Sequence, residues 1–134
     1  MTTSSTSPSE PLHSALEAEQ IIQSAGHMIY ALDMEWKYCY FNKAYADMMR
    51  SAYNIEIVKG LDRRKIKLYE PDKNKSEHYL QRAMEGERVI VKEQFGIPGR
   101  VRSFFEVHYN PVLDANSKKV TGVAVIGQDI SERV

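Results

Sequence analysis

Apolar positions along this chain fall first at helical spacing, then in short alternating runs, and the change of period divides it into elements. Residues 1–11 are Thr, Ser, Pro and Glu without apolar periodicity, and are expected to form a disordered tail. Leu12, Ala15, Leu16, Ala18, Ile22 and Ala25 then recur at helical spacing, with Gly26 as a stop, which predicts an N-terminal flanking helix over 12–25. Met28 to Leu32 and Trp36 to Phe41 read as strands joined at Asp33-Met34-Glu35. Asn42 stands where a helix N-cap belongs, and Ala44, Tyr45, Met48, Met49 and Ala52 form one helical face behind it.

Residues 54–72, punctuated by Gly60 and Pro71, predict short helical turns. A longer helix is expected to start at Asp72 or Asn74, to bury Tyr79, Leu80, Ala83 and Met84, and to end at Gly86. Three strands follow at about 88–95, 103–113 and 119–128, linked by turn-forming residues at 96–99 and 114–117. Helix, two strands, several helices and three strands make an α+β domain, with one antiparallel sheet and its helices on one face.

Composition narrows the function classes. The chain has 134 residues, 43% hydrophobic and 27% charged, the proportions of one ordinary globular domain. A formal net charge of zero argues against a nucleic-acid binder. The single cysteine, Cys39, rules out an internal disulfide and a cysteine-rich metal site. No apolar run reaches the roughly 20 residues of a membrane span, and the start lacks a secretory signal pattern, so a cytoplasmic protein is expected. The basic run Asp62-Arg63-Arg64-Lys65-Ile66-Lys67 reads as a solvated face, since acidic residues are mixed with it. No zinc or EF-hand spacing and no phosphate-cradling glycine loop is present. His13, His27, His78 and His108 are scattered, and none is paired by spacing with an acid or a nucleophile.

Several landmarks together resemble the PAS domain. Tyr40-Phe41-Asn42 with the helix behind it resembles that family's second strand and first core helix, and Gly60 its central glycine. Ala83-Met84-Glu85-Gly86-Glu87 resembles the end of its long helix, and Tyr109-Asn110-Pro111-Val112 its fourth strand. Val120-Thr121-Gly122 through Asp129-Ile130-Ser131-Glu132-Arg133 resembles its fifth strand and exit motif. The resemblance covers about residues 26–133 and implies a PAS sensor domain over 26–134, with a five-stranded antiparallel sheet in the order 2-1-5-4-3 and a pocket between sheet and helices.

Strand alternation then names an inward set. Tyr30 and Leu32 face in from the first strand and Phe95 from the third. Phe105, Val107 and Tyr109 face in from the fourth, with Glu106 and His108 outward, and Val123, Val125 and Gly127 from the fifth. Tyr45, Met49, Ile66, Leu80 and Met84 join them from the helical segments. The plain reading of such a face is core packing. A ligand pocket is the sharper one, with Tyr30, Tyr45 and Tyr109 as polar recognition groups.

The resemblance also bears on cofactors, and none is expected. The light-sensing branch of the family carries a reactive cysteine three residues after the conserved glycine, where this chain has Arg63, and a Gln where it has Gly127. The haem-binding branch carries a His one turn before the Tyr-Leu pair, where this chain has Ser76, and His78 falls on the polar side of its helix with Gln81, Arg82 and Glu85. The resemblance therefore implies a non-catalytic sensory module of a bacterial signalling protein such as a histidine kinase. It would sense a small molecule or a partner and relay the signal through Asp129, Ser131 and Arg133 to an output domain C-terminal to Arg133. Ser131 is placed to cap the helix beginning there, and Asp129 to pair with Arg133. A homodimer through the 12–25 helix is expected. The rival readings are a ligand-free interaction and dimerisation module, and a small enzyme using the pocket.

Overall fold

The computed structural model describes residues 26–96 and 102–131. The expectations for the 1–11 tail, the 12–25 helix, residues 97–99 of the turn expected at 96–99, and Arg133 lie outside them. One antiparallel sheet contains β1 (Met28–Asp33), β2 (Tyr38–Phe41), β3 (Val89–Gly96), β4 (Arg102–Leu113) and β5 (Val120–Asp129). Its order is β2-β1-β5-β4-β3, so the last strand lies at the centre with partners on both edges. Between β2 and β3 the chain forms α1 (Lys43–Tyr53), a 3-10 turn (Arg63–Lys65) and α2 (Glu70–Met84).

The first hairpin departs from the sequence reading at Trp36. The Asp33 carboxylate accepts from the backbone amides of Glu35 at 2.9 Å and Lys37 at 3.0 Å, and closes the turn. Trp36 adopts a left-handed φ of 66° inside that turn, so the strand expected to begin there begins at Tyr38. In β2, Phe41 pairs with Tyr30 and Tyr40 with Ala31, but Tyr38 pairs with Leu32, which leaves Cys39 as the extra residue of a bulge. Tyr38 and Phe41 therefore both turn toward the core, although they are an odd three positions apart, while Cys39 is exposed.

Asn42 is the N-cap of α1, as expected, and joins more than the helix. Its side-chain oxygen accepts from the amides of Tyr45 and Ile29, both at 3.0 Å, and its amide group donates to the His27 carbonyl at 2.7 Å. A fully buried Asn with donors and acceptors satisfied costs the fold little and fixes how α1 enters over β1. Tyr45 and Met49 are the buried members of α1, and its end is capped by Asn54 in the left-handed conformation.

The second helix starts earlier than its Asp and Asn suggested, at Glu70, because Pro71 suits a first turn and the acidic Glu70 and Asp72 oppose the helix dipole. Asp72 is released from capping and turns inward. It is 2% exposed and accepts the Gly96 amide at 3.0 Å. Gly86, with φ of 100°, closes the helix where expected. On β4 and β5 the alternation holds, with Val107, Tyr109, Val123 and Val125 buried beneath the helices. On the opposite face Glu106 and His108 come within 2.8 Å, a pairing that the sequence reading of isolated histidines missed. Gly122 lies so close to β1 that a Cβ there would stand 2.4 Å from the Leu32 carbonyl oxygen.

Candidate functional site

A cavity of about 810 Å³ lies between the sheet and the helical segments, reaching from α1 and the 3-10 turn to the end of β5. Tyr30, Tyr45, Met49 and Phe95 line it, as do Phe105, Val107, Tyr109 and Val125, all members of the inward set. Leu32, Ile66, Leu80 and Met84 are buried but belong to the packed core instead. The reason is position along the strands. The rows Met28–Gly127 and Tyr30–Val125–Tyr109 border the cavity, whereas the Leu32–Val123 row, nearer the hairpin turn, is closed by side chains. Alternation specifies the face of a strand, but not where along it the helices make contact.

Aromatic hydroxyls converge at one end. The Tyr38 and Tyr45 hydroxyls are 2.6 Å apart, and the Tyr30 ring centroid lies 4.5 Å from that of Tyr45 and 5.5 Å from that of Tyr38. Burial pushes the pKa of Tyr30, Tyr38, Tyr45 and Tyr109 above the ordinary phenol value, so all four stay neutral.

Arg63 lies among them. The basic run read as a solvated face is divided by the 3-10 turn. Asp62 caps that turn by accepting the Arg64 amide at 2.9 Å, and it holds the Arg64 guanidinium outward at 2.8 Å. Arg64 then stacks over the Trp36 ring at 5.5 Å. Arg63 turns the other way and is only 5% exposed. Its Nη2 donates to the Ser76 hydroxyl at 3.0 Å, which in turn donates to the Lys73 carbonyl at 3.1 Å. Burial works against the guanidinium charge and the surrounding phenol oxygens work for it. The net direction is upward, and the group stays charged. A signal for this existed, since residues three apart eclipse in a 3-10 turn and Ile66 was already on the inward side.

Polar groups also fix the far wall. Tyr79 donates to Glu93 at 2.9 Å, and Lys75 binds the other Glu93 oxygen at 3.2 Å, with its ammonium 4.9 Å from the centre of the Phe95 ring. Asp129 borders the cavity where β5 leaves the sheet. Asp129 accepts the Ser131 amide at 2.9 Å and so makes the turn, while Ser131 accepts the Phe104 amide at 3.1 Å and ties the exit to β4. His78 is exposed, and Ser76 occupies the buried helix position one turn before Leu80. Among the described residues no cluster of His, Cys, Asp and Glu is placed to hold a metal ion, and no helix is long and apolar enough to cross a membrane.

Residues 22–134 match a family model described as the PAS fold. The chain belongs to the PAS family. Solved structures share the architecture at low identity. The PAS domain of a Colwellia psychrerythraea protein superposes with a TM-score of 0.62 at 15% identity, covering 89% of this chain and 98% of that one. The PAS domain of BvgS from Bordetella pertussis gives 0.63 at 19% identity, covering 92% and 91%. The VqmA–ligand–DNA complex of Vibrio cholera gives 0.65 at 16% identity, covering 86% of this chain and 51% of that one. No curated protein matches the sequence.

Proposed function

We propose that this PAS domain is a non-catalytic sensory module that takes a small molecule into its cavity and relays occupancy through the end of β5. One observation carries the reading. The same cavity is lined by the Arg63 and tyrosine cluster at one end and by Gly127 and Asp129 at the other, so a ligand would touch the strand that leads out of the domain. A ligand shifts such a module only through its different affinity for two states, and contact with the exit supplies that difference. Around Arg63 the converging titratable groups are four neutral phenols and a permanently charged guanidinium, and none of these five is poised near neutral pH for acid–base catalysis. The two acids on the lining, Asp72 and Asp129, are held by the backbone amides of Gly96 and Ser131, which favours sensing over an enzyme.

In this reading the parent is a bacterial signalling protein of the cytoplasm, such as a histidine kinase, with an output domain beyond Arg133 and a homodimer formed through the 12–25 helix. A PAS domain of a two-component sensor histidine kinase shares the fold, and a ligand-bound regulator, VqmA, does too. Haem and flavin are disfavoured as occupants. Ser76 and Arg63 replace the side chains those branches use, and Gly127 replaces the flavin-binding Gln.

Native mass spectrometry of the freshly purified chain tests this, with its denatured mass as reference. A retained small molecule is expected. An empty chain that also binds nothing from a metabolite library would overturn the reading. A second reading, a pure interaction module, is favoured by Ile90, Phe104 and Val112, large side chains exposed on the sheet face away from the helices. It predicts a dimer that substitution of Phe104 by Glu dissolves and that no ligand affects.

A further inference from the structure

We infer that the cavity selects an apolar monocarboxylate, with Arg63 as the group that holds its acid. This rests on the cavity being a small-molecule site and names the chemical class that fits it.

Buried charges in proteins are ordinarily paired, because an uncompensated ion in a poorly polarisable interior is costly. Arg63 breaks that rule. A guanidinium has five N–H donors in a planar fork, and this one commits Nη2 to the neutral Ser76 hydroxyl. Its Nε and Nη1 are buried without a partner in hydrogen-bond geometry among the described residues, the neutral Tyr30 phenol being the side chain that comes nearest to serving them. Glu77, whose Oε2 is buried without a hydrogen-bond partner among the described residues, acts on Arg64 rather than on Arg63, and the other nearby acids are engaged elsewhere. Asp62 holds Arg64, Asp72 accepts from Gly96 with Lys75 3.8 Å away, Glu93 binds Tyr79 and Lys75, and Asp129 accepts from Ser131. The fold therefore maintains a charged, directional donor on the cavity wall that no carboxylate among the described residues satisfies.

The occupant's chemistry follows from the rest of the lining. A planar fork matches a carboxylate in two-point contact better than it matches a point charge. One cation against the two acids that also line the cavity, Asp72 and Asp129, favours a single negative charge over a phosphate dianion. Met48, Met49, Phe95, Phe105 and Val107 supply an apolar wall, which asks for an apolar body. Tyr30 and Tyr109 lie beside it, and as neutral phenols they can donate to the second carboxylate oxygen.

The test uses the whole chain and four probes in calorimetric titration, namely benzoate, hexanoate, and their neutral counterparts benzamide and 1-hexanol. Each acid is expected to bind at least about tenfold more tightly than its neutral counterpart, and benzoate against hexanoate distinguishes a flat body from a flexible one. The Arg63→Met chain is expected to lose that preference and, free of an unpaired buried charge, to unfold at an equal or higher temperature. In the unaltered chain the Arg63 Nε–H resonance should shift on adding benzoate, a readout that needs no variant to fold. Neutral and acidic probes binding alike, or a preference that survives Arg63→Met, would overturn the acid assignment while leaving the small-molecule cavity intact. Binding by none of the four at millimolar concentration would overturn the acid assignment, and the small-molecule reading falls with it only if the metabolite library also fails to bind.

Discussion

The Tyr38 and Tyr45 hydroxyls meet at 2.6 Å inside the core, one from a bulged edge strand and one from the first helix, so that a polar contact buried in the core links the two layers. Removing one partner leaves the other hydroxyl buried and unsatisfied, whereas removing both leaves matching apolar rings. Tyr38→Phe and Tyr45→Phe should each cost about 1–2 kcal/mol, and the double variant clearly less than their sum. Urea unfolding with an unchanged denaturant slope is the measurement, and strict additivity would show that the contact is not shared.

Gly122 and Gly127 provide a paired test of the central strand. At Gly122 a methyl group would meet the Leu32 carbonyl at 2.4 Å, and since that neighbour is backbone in the middle of the sheet, β1 or β5 must shift. Gly122→Ala should destabilise the domain by about 1–3 kcal/mol, in the range of overpacked cores. At Gly127 the nearest atom to an added methyl is 3.9 Å away, so Gly127→Ala should leave the melting temperature nearly unchanged.

Acid should loosen the turn that presents Arg63. The hydrogen bond from the Arg64 side chain, helped by the Arg64 amide, pulls the Asp62 carboxyl down to about 2 from an ordinary 3.8. A folded-state value below the unfolded one stabilises the fold above the ordinary value. That stabilisation fades as pH falls through the folded value. The melting-temperature gap between the native chain and Asp62→Asn should therefore be full near neutrality and close between about pH 4 and pH 2. A gap that stays constant across this range would remove Asp62 ionisation as the cause.

Ser131→Ala should uncouple the exit from β4. Its hydroxyl accepts the Phe104 amide at 3.1 Å in an exposed position, so global stability should fall by less than about 1 kcal/mol. Hydrogen exchange at Phe104 should speed up while exchange at Val107 and Tyr109 stays as it was. Unchanged protection at Phe104 would mean that Ile130, which donates to the Phe104 carbonyl at 2.8 Å, holds the exit alone.

Most of the sheet could be read from period alone, because β4 and β5 alternate cleanly and one face is covered by helices. That is why Tyr109, Val107 and Val125 were found from sequence and Tyr38 was not. A bulge at Cys39 breaks the alternation, and a bulge leaves no mark in hydrophobicity. Arg63 was hidden for a different reason. Hydropathy ranks a guanidinium among surface groups, and only the capping of its turn by Asp62 shows which of two adjacent arginines goes inward. Leu32, Ile66, Leu80 and Met84 were placed on the correct side of the sheet, yet they pack outside the cavity, because where a helix touches a sheet is a property of three dimensions. The cap at Asn42 was legible because its signal is local. The start of α2 was not, because Asp72 trades the expected capping role for a contact 24 residues away.

Asn42 also sets how the domain breathes. Its one side chain is bonded to His27 and Ile29 at the start of β1 and to the first turn of α1 together, so opening of either breaks a bond to the other. Local opening at this corner is thus a single cooperative event with one free energy, shared by a strand and a helix of different secondary structure. The corner stands beside the Met28–Gly127 pair that borders the cavity, so a joint opening there would carry one wall of the cavity with it.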